Sequence, residues 1–218
     1  GFFLFSSMTI PYGQISAADD SDFDAIRVNW FNGLTGANLQ YSTDDEGLLN
    51  IISNIDSEAA QYLQTFNRTG DGYLWPDLDS AEISGYITQS YTRLQAMALA
   101  YNTVGSSYYH DESLKNDILY GLDWLYNNRY NENVTERYDN WYDWEIGSPL
   151  RLKDILVLMY DSLTPELLEK YTNTISFFLS VCNVAFQHCE PGLAGYNPCN
   201  QRCPREGFCQ NTQCIKFN

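Results

Sequence analysis

The feature that most restricts this chain is an unbroken helical rhythm. From Ser21 to Leu179 apolar residues recur at steps of three and four, and no segment alternates apolar and polar residues as a half-buried strand would. Ser21 can cap a first helix that carries Phe23, Ile26 and Trp30 and ends near Gly33. Thr43-Asp44-Asp45-Glu46 reads as a capping box. The helix after it places Leu48, Ile51, Ile52, Ile55, Ala59, Tyr62 and Phe66 on one stripe. Residues 67–79 are rich in Gly, Pro and Asp and read as a loop. Ser84 starts a third helix with the stripe Ile87, Tyr91, Leu94, Ala98 and Tyr101, stopped by Gly105. A fourth helix, from about Asp111 to Asn127, buries Leu114, Ile118, Leu122 and Leu125. After an aromatic loop, Ser148-Pro149 is a cap followed by proline at the first helical position, and Leu152, Ile155, Leu156 and Met159 follow. Thr164-Pro165-Glu166 repeats that start signal for a last helix carrying Leu168, Tyr171, Ile175 and Phe178.

Successive helices joined by short loops give antiparallel helical hairpins, hence an all-α fold. Stacked hairpins can form a bundle, a solenoid or a ring-like toroid, and periodicity does not choose among them. The pattern breaks near residue 181. All six cysteines lie beyond it: Cys182, Cys189, Cys199, Cys203, Cys209 and Cys214. The chain therefore divides into residues 1–18, a helical domain over 19–181 and an irregular Cys-rich C-terminal tail over 182–218. In a secreted protein six cysteines read as three disulfides. A zinc site using His188 is the alternative, although the Cys-x2-Cys spacing typical of such sites is absent. A third reading is that the tail is a read-through or misjoined segment.

Charge narrows the partners. The 218 residues carry a net charge of −16, with 12 Lys and Arg in total. No basic stripe is present to neutralise phosphates, so a nucleic-acid binder is excluded, and an anionic membrane is a poor partner. An acidic polymer would be repelled by the protein as a whole and would need a local cation. No stretch is long and apolar enough to span a bilayer. Phe2 to Ile10 is mostly apolar, and Ser16-Ala17-Ala18 offers small residues for signal cleavage with a mature start near Asp19. The segment reads either as the end of a signal peptide or as a short apolar arm packed on the domain. Asn67-Arg68-Thr69 and Asn133-Val134-Thr135 are glycosylation sequons, each a weak signal alone. Together these point to a secreted, glycosylated, disulfide-bonded monomer that calls for no cofactor or metal.

Three motifs resemble polysaccharide lyase family 8, the hyaluronate, chondroitin AC and xanthan lyases. The first is Asp22-Phe23-Asp24-Ala25-Ile26-Arg27-Val28-Asn29-Trp30 followed by Leu34-Thr35-Gly36. The second is Arg93 to Ala100 with Leu119-Tyr120-Gly121-Leu122-Asp123-Trp124-Leu125-Tyr126. The third and most specific, Asn140-Trp141-Tyr142-Asp143-Trp144-Glu145-Ile146-Gly147-Ser148-Pro149, is similar to the family signature Asn-Trp-Trp-x-Trp-x-Ile-Gly-x-Pro. Order and spacing agree over about residues 20 to 180. The resemblance implies part of an α/α toroid lining a long cleft, followed in full-length members by a β-sandwich region.

It also implies a tandem aromatic patch that holds the polymer, carried over to Trp141 and Tyr142 with Asn140 alongside. Tyrosine in place of the second tryptophan keeps a ring and weakens stacking. Flat rings in a loop can stack on sugar faces; the competing reading is that Trp141 and Trp144 anchor the loop. We expect sugar contact for Trp141 and core packing for Trp144. Asp139, Asp143 and Glu145 flank the rings. They read as cap and surface carboxylates, or alternatively as the acid–base pair of an α/α-toroid glycosidase.

Family members eliminate across a uronate. A base takes the C5 proton, the 4-linked oxygen leaves, and an Asn in a Thr-Gly-Ala-Asn-type motif neutralises the carboxylate. Only a faint echo stands here, Leu193-Ala194-Gly195-Tyr196-Asn197, and no His-Tyr segment follows. His110 reads as a capping or solvated residue and His188 falls in the tail, so no catalytic residue is assigned. The expectation is a substrate-cleft part of an acidic-polysaccharide lyase that is inactive alone. A truncated, non-catalytic carbohydrate-binding relative is the alternative.

Overall fold

The computed structural model describes residues 20–39, 45–187, 209–210 and 213–214. Six α-helices follow one another: α1 (Asp20–Thr35), α2 (Glu46–Gln64), α3 (Gly85–Asn102), α4 (Glu112–Asn128), α5 (Ser148–Leu158) and α6 (Pro165–Gln187). Two short strands, β1 (Cys209–Gln210) and β2 (Gln213–Cys214), pair antiparallel with Cys209 opposite Cys214. The segment 1–18, Thr43, Asp44, His188, Cys189, Cys199 and Cys203 lie outside the described residues. The backbone of Cys182 continues α6, which runs on past residue 181 to Gln187.

Three of the start signals act as the sequence predicts, with shifts of a residue or two, whereas Ser21 falls inside α1, which begins at Asp20, and Ser84 precedes α3 without a side-chain cap bond to it. Asp111 caps α4 by accepting from Leu114 N at 2.7 Å, and Thr164 Oγ1 accepts from Leu167 N at 3.4 Å. For α2 the cap is Asp45, which accepts from Leu48 N at 3.1 Å. Helix α1 runs past Gly33 and ends at Gly36, whose φ of 68° and N–H bonded to Asn32 O at 2.8 Å form a left-handed stop.

Helix α3 is the centre of the fold and packs against α2, α4 and α5. Its buried set, including Ile87, Tyr91, Leu94, Met97, Ala98, Ala100 and Tyr101, covers more than one face, so it is surrounded rather than amphipathic. Against it α4 comes close enough at Gly121 that a Cβ there would stand 2.6 Å from Leu94 Cδ2.

The predicted loop over 67–79 contains a short 3-10 turn, Pro76–Leu78, and contributes to the core. Leu74 and Trp75 are fully buried, and Trp75 donates its indole N–H to Tyr62 O at 2.9 Å. Arg68 grips the buried Asp117 of α4 through two hydrogen bonds. The stripe predicted for α1 is not covered: Phe23, Ile26 and Trp30 are all exposed, and the helix touches α3 and α5 near Phe31 and Leu34. Ile51 of α2 is likewise exposed.

Candidate functional site

The segment expected to be an aromatic loop is helical. It begins as helix at Trp141, widens into a π-helical turn over Asp143–Gly147 and passes directly into α5. Ser148 is therefore no N-cap. Its backbone is helical, and its N–H reaches back five residues to Asp143 O. The cause is Pro149. A proline in an ordinary α-helix has no N–H to donate and its ring collides with the carbonyl four residues back. Widening the preceding turn relieves that collision.

The wide turn leaves one carbonyl without a helical donor. Ser148 N–H is used on Asp143, and Pro149 has none to give to Trp144 O. Tyr130 supplies the missing donor through its hydroxyl at 2.6 Å. Burial pushes the Tyr130 phenol well above its ordinary range, so it stays protonated as the donor. The Tyr130 ring stacks on Phe178 of α6 at 4.1 Å and lies parallel to Trp144 at 5.9 Å. The Trp144 indole N–H donates to Tyr138 O at 2.9 Å. Trp144 is thus the core anchor, 1% exposed.

A second network ties the segment to the start of α3. Ser84, fully buried, is the hub. Its single hydroxyl proton faces Asp143 Oδ2 at 2.9 Å, Asp139 Oδ2 at 3.1 Å and Asn140 O at 3.3 Å, while its oxygen accepts from Asn140 N at 3.0 Å. Asp143 Oδ1 accepts from Thr88 Oγ1 at 2.8 Å. Glu145 pairs with Arg137 at 2.5 Å, and the Arg137 guanidinium lies over the Phe178 ring. Asp143 and Glu145 are both buried, which corrects their reading as surface carboxylates: the π turn rotates them inward. Asp139 is exposed and does cap, accepting from Ser84 N at 3.0 Å with its own φ at +62°. The geometry counts against a glycosidase pair, because the buried carboxylates serve Ser84, Thr88 and Arg137 rather than facing a substrate.

What remains outward is the pair of rings. Trp141 is half-buried and Tyr142 is 46% exposed, with ring centroids 6.2 Å apart at 73°. Asn140 is exposed and its Oδ1 caps the new helix by accepting from Tyr142 N at 3.1 Å. Gly147 makes room for this packing: a Cβ there would lie 2.7 Å from Thr88 Oγ1 and 3.2 Å from Tyr142 Cε1. The three residues named from sequence are therefore contiguous on one surface. Sequence reasoning missed Ser84, Thr88 and Tyr130 as their support, since each sits far away in the chain.

The other candidates lie elsewhere. Asn67 uses its side-chain amide on Asp71 O at 3.2 Å and Tyr73 O at 3.0 Å, so a glycan there would have to displace both bonds. Asn133 is exposed in a turn, its N–H on Asn131 Oδ1. His110, exposed at the start of α4, stacks on Tyr109 at 4.1 Å and on Tyr101 at 5.3 Å. Among the described residues no group of three or more His, Cys, Asp or Glu is placed to hold a metal ion, and no helix is long and apolar enough to cross a membrane.

Comparison with known proteins bears on the family and the helical fold. Residues 30–189 match the polysaccharide lyase family 8 N-terminal alpha-helical domain. A xanthan lyase of Bacillus sp. (strain GL1) is 36% identical over 166 residues, 76% of this chain and 18% of that protein. The hyaluronate lyase HylB of Enterococcus faecalis is 32% identical over 178 residues, 81% of this chain and 17% of that one. Among solved structures, a Paenibacillus xanthan lyase superposes with a TM-score of 0.70 at 33% identity, covering 73% of this chain and 15% of its own. A Streptomyces coelicolor chondroitin AC lyase in complex with chondroitin sulphate gives 0.67 at 29% identity, covering 74% and 21%. The chain thus spans about a fifth or less of the length of these relatives. Its antiparallel hairpins are part of an α/α toroid, and the chain belongs to polysaccharide lyase family 8 through that family's N-terminal helical domain.

Proposed function

We propose that this domain forms the sugar-holding wall of the substrate cleft of a secreted lyase that cleaves a uronate-containing polysaccharide by β-elimination. The observation that carries the reading is the outward Trp141–Tyr142 pair, set on a helical start whose polar groups are satisfied from within. Flat rings gain contact area on the C–H faces of sugars, and rings already held in place lose little entropy on binding. The substrate class is supported by the relatives, which are named for xanthan, hyaluronate and chondroitin. Secretion is supported by the apolar run before Ser16-Ala17-Ala18.

In this reading the domain binds and orients. Elimination needs a base at the uronate C5 and a donor that neutralises the adjacent carboxylate as charge develops, and no described residue is assigned either task. Stacking on Trp141 and Tyr142 would fix the register of the polymer, so that one linkage meets the reacting groups.

The test uses the purified chain with hyaluronan, chondroitin sulfate and xanthan, reading binding by affinity electrophoresis and elimination by ultraviolet absorbance of the unsaturated uronate. At least one polymer is expected to bind, Trp141→Ala to lose it with the helical fold intact, and absorbance to stay flat. A rise in absorbance that follows the protein through purification would contradict the binding-only role. Binding to none of the three polymers would overturn the reading.

A further inference from the structure

A chain of net charge −16 can hold an anionic polymer only where a cation is left available to it. Arg202, Arg205 and Lys216 lie outside the described residues. Each other lysine or arginine sits against a carboxylate, with two exceptions. Arg129 is one; it donates to Gly72 O at 2.7 Å and lies over the Trp124 ring, which fastens the loop after α2 to α4. Arg151 is the other. Among the described residues its one hydrogen bond is to a neutral acceptor, Gln95 Oε1, at 3.4 Å, and it is exposed.

The position of Arg151 relates it to the aromatic pair. Gly147, against which Tyr142 packs, is one turn before Arg151, and residues four apart share a helix face. The facing helix repeats the arrangement. Thr88 meets Gly147 and Asp143, and Gln95, two turns further along α3, meets Arg151. Both contacts therefore belong to one seam between α3 and α5. Gln95 is itself oriented, since its Nε2 donates to Asp154 Oδ2 at 2.9 Å, which turns Oε1 toward the guanidinium. The nearest acid on the same helix, Asp154, is thus engaged by Gln95 and stands 3.6 Å from Lys153.

We propose that Arg151 recognises the anionic group of a sugar in the polymer held by Trp141 and Tyr142, and so selects charged over neutral polysaccharides. The inference rests on the cleft-wall reading above. A guanidinium offers a planar, two-pronged donor edge that suits a carboxylate or a sulfate ester, and the neutral Gln95 occupies only one of the Arg151 donors. Because Arg151 is solvated, its effect is moderate and salt-dependent.

The test titrates the full chain with hyaluronan (carboxylate only), chondroitin sulfate (carboxylate and sulfate ester) and the neutral polymer hydroxyethyl cellulose, each at low and high salt. R151Q is expected to weaken both anionic polymers about three- to tenfold, to flatten their salt dependence and to leave the neutral polymer unchanged. R151K, which keeps the charge but not the fork, should retain the salt dependence and lose part of the affinity. A loss confined to chondroitin sulfate would identify the sulfate ester as the bound group, and a loss with both would identify the carboxylate. If R151Q keeps its affinity and salt slope for both anionic polymers while Trp141→Ala loses them, this inference falls and the cleft wall stands. If the unsubstituted chain binds neither anionic polymer, both fall.

Discussion

The stretch from Arg137 to Ser148 and the helix α1 are both rich in aromatic and apolar residues, yet the fold treats them in opposite ways. In the first, Trp144 is enclosed by Tyr130, Tyr138 and Phe178, and Asp143 and Glu145 are buried against donors from other elements. In the second, Phe23 and Ile26 are 61% and 57% exposed. The helix is held at its far end by Phe31 and Leu34, and along its length by Lys153 over Trp30 and Arg27 over Tyr160. Apolar content therefore does not decide which segment is enclosed. Satisfied buried polar groups add to the hold on the first, because each would carry a penalty if its partner moved. A surface meant to hold a polymer gains from the first kind of construction, since rings placed in advance need not be ordered on binding.

The contrast can be broken at several points. Trp144→Ala should remove the anchor and cost about 3–5 kcal/mol, read as a lower denaturant midpoint. Tyr130→Phe keeps the ring but leaves Trp144 O without its donor, and should cost about 1–3 kcal/mol; the same measurement with no shift would show that water or another donor serves that carbonyl. An intermediate case is Asp56 on α2. Burial raises its pKa, but hydrogen bonds from Ser106 Oγ, Ser107 Oγ and Ser107 N outweigh this and hold the carboxyl below its ordinary value. Its contribution is therefore present above the ordinary carboxylate range and lost as pH falls through the lowered folded value. Thermal midpoints should drop below about pH 4, and Asp56→Asn should make that drop shallower. The smallest effect belongs to α1: Phe23→Ala should leave stability within about 0.5 kcal/mol. A loss of several times that would mean the exposed face is covered in solution.

Much of this was legible in the sequence. The helix starts at Asp111 and Thr164 and the stripe Leu114, Ile118, Leu122, Leu125 needed only local spacing, because caps and periodicity are properties of neighbouring residues. The Asn140–Pro149 motif pointed to the family, and it lies within the matched region. The helical state of Trp141 and Tyr142 was not legible. Ser148-Pro149 looks the same whether it starts a helix or follows a π turn, and the deciding partners, Ser84, Thr88 and Tyr130, come from distant positions. Likewise the spacing of Phe23, Ile26 and Trp30 is helical, but spacing does not say whether anything packs on them.

The most direct test of the central claim is amide hydrogen exchange on the intact chain with and without a hyaluronan oligosaccharide. Added protection should concentrate at residues 140–147 and along the α3–α5 seam, leaving α1 unchanged. Protection confined to α1 around Phe23, Ile26 and Trp30, with none at 140–147, would contradict the assignment of the aromatic pair as the sugar-holding surface.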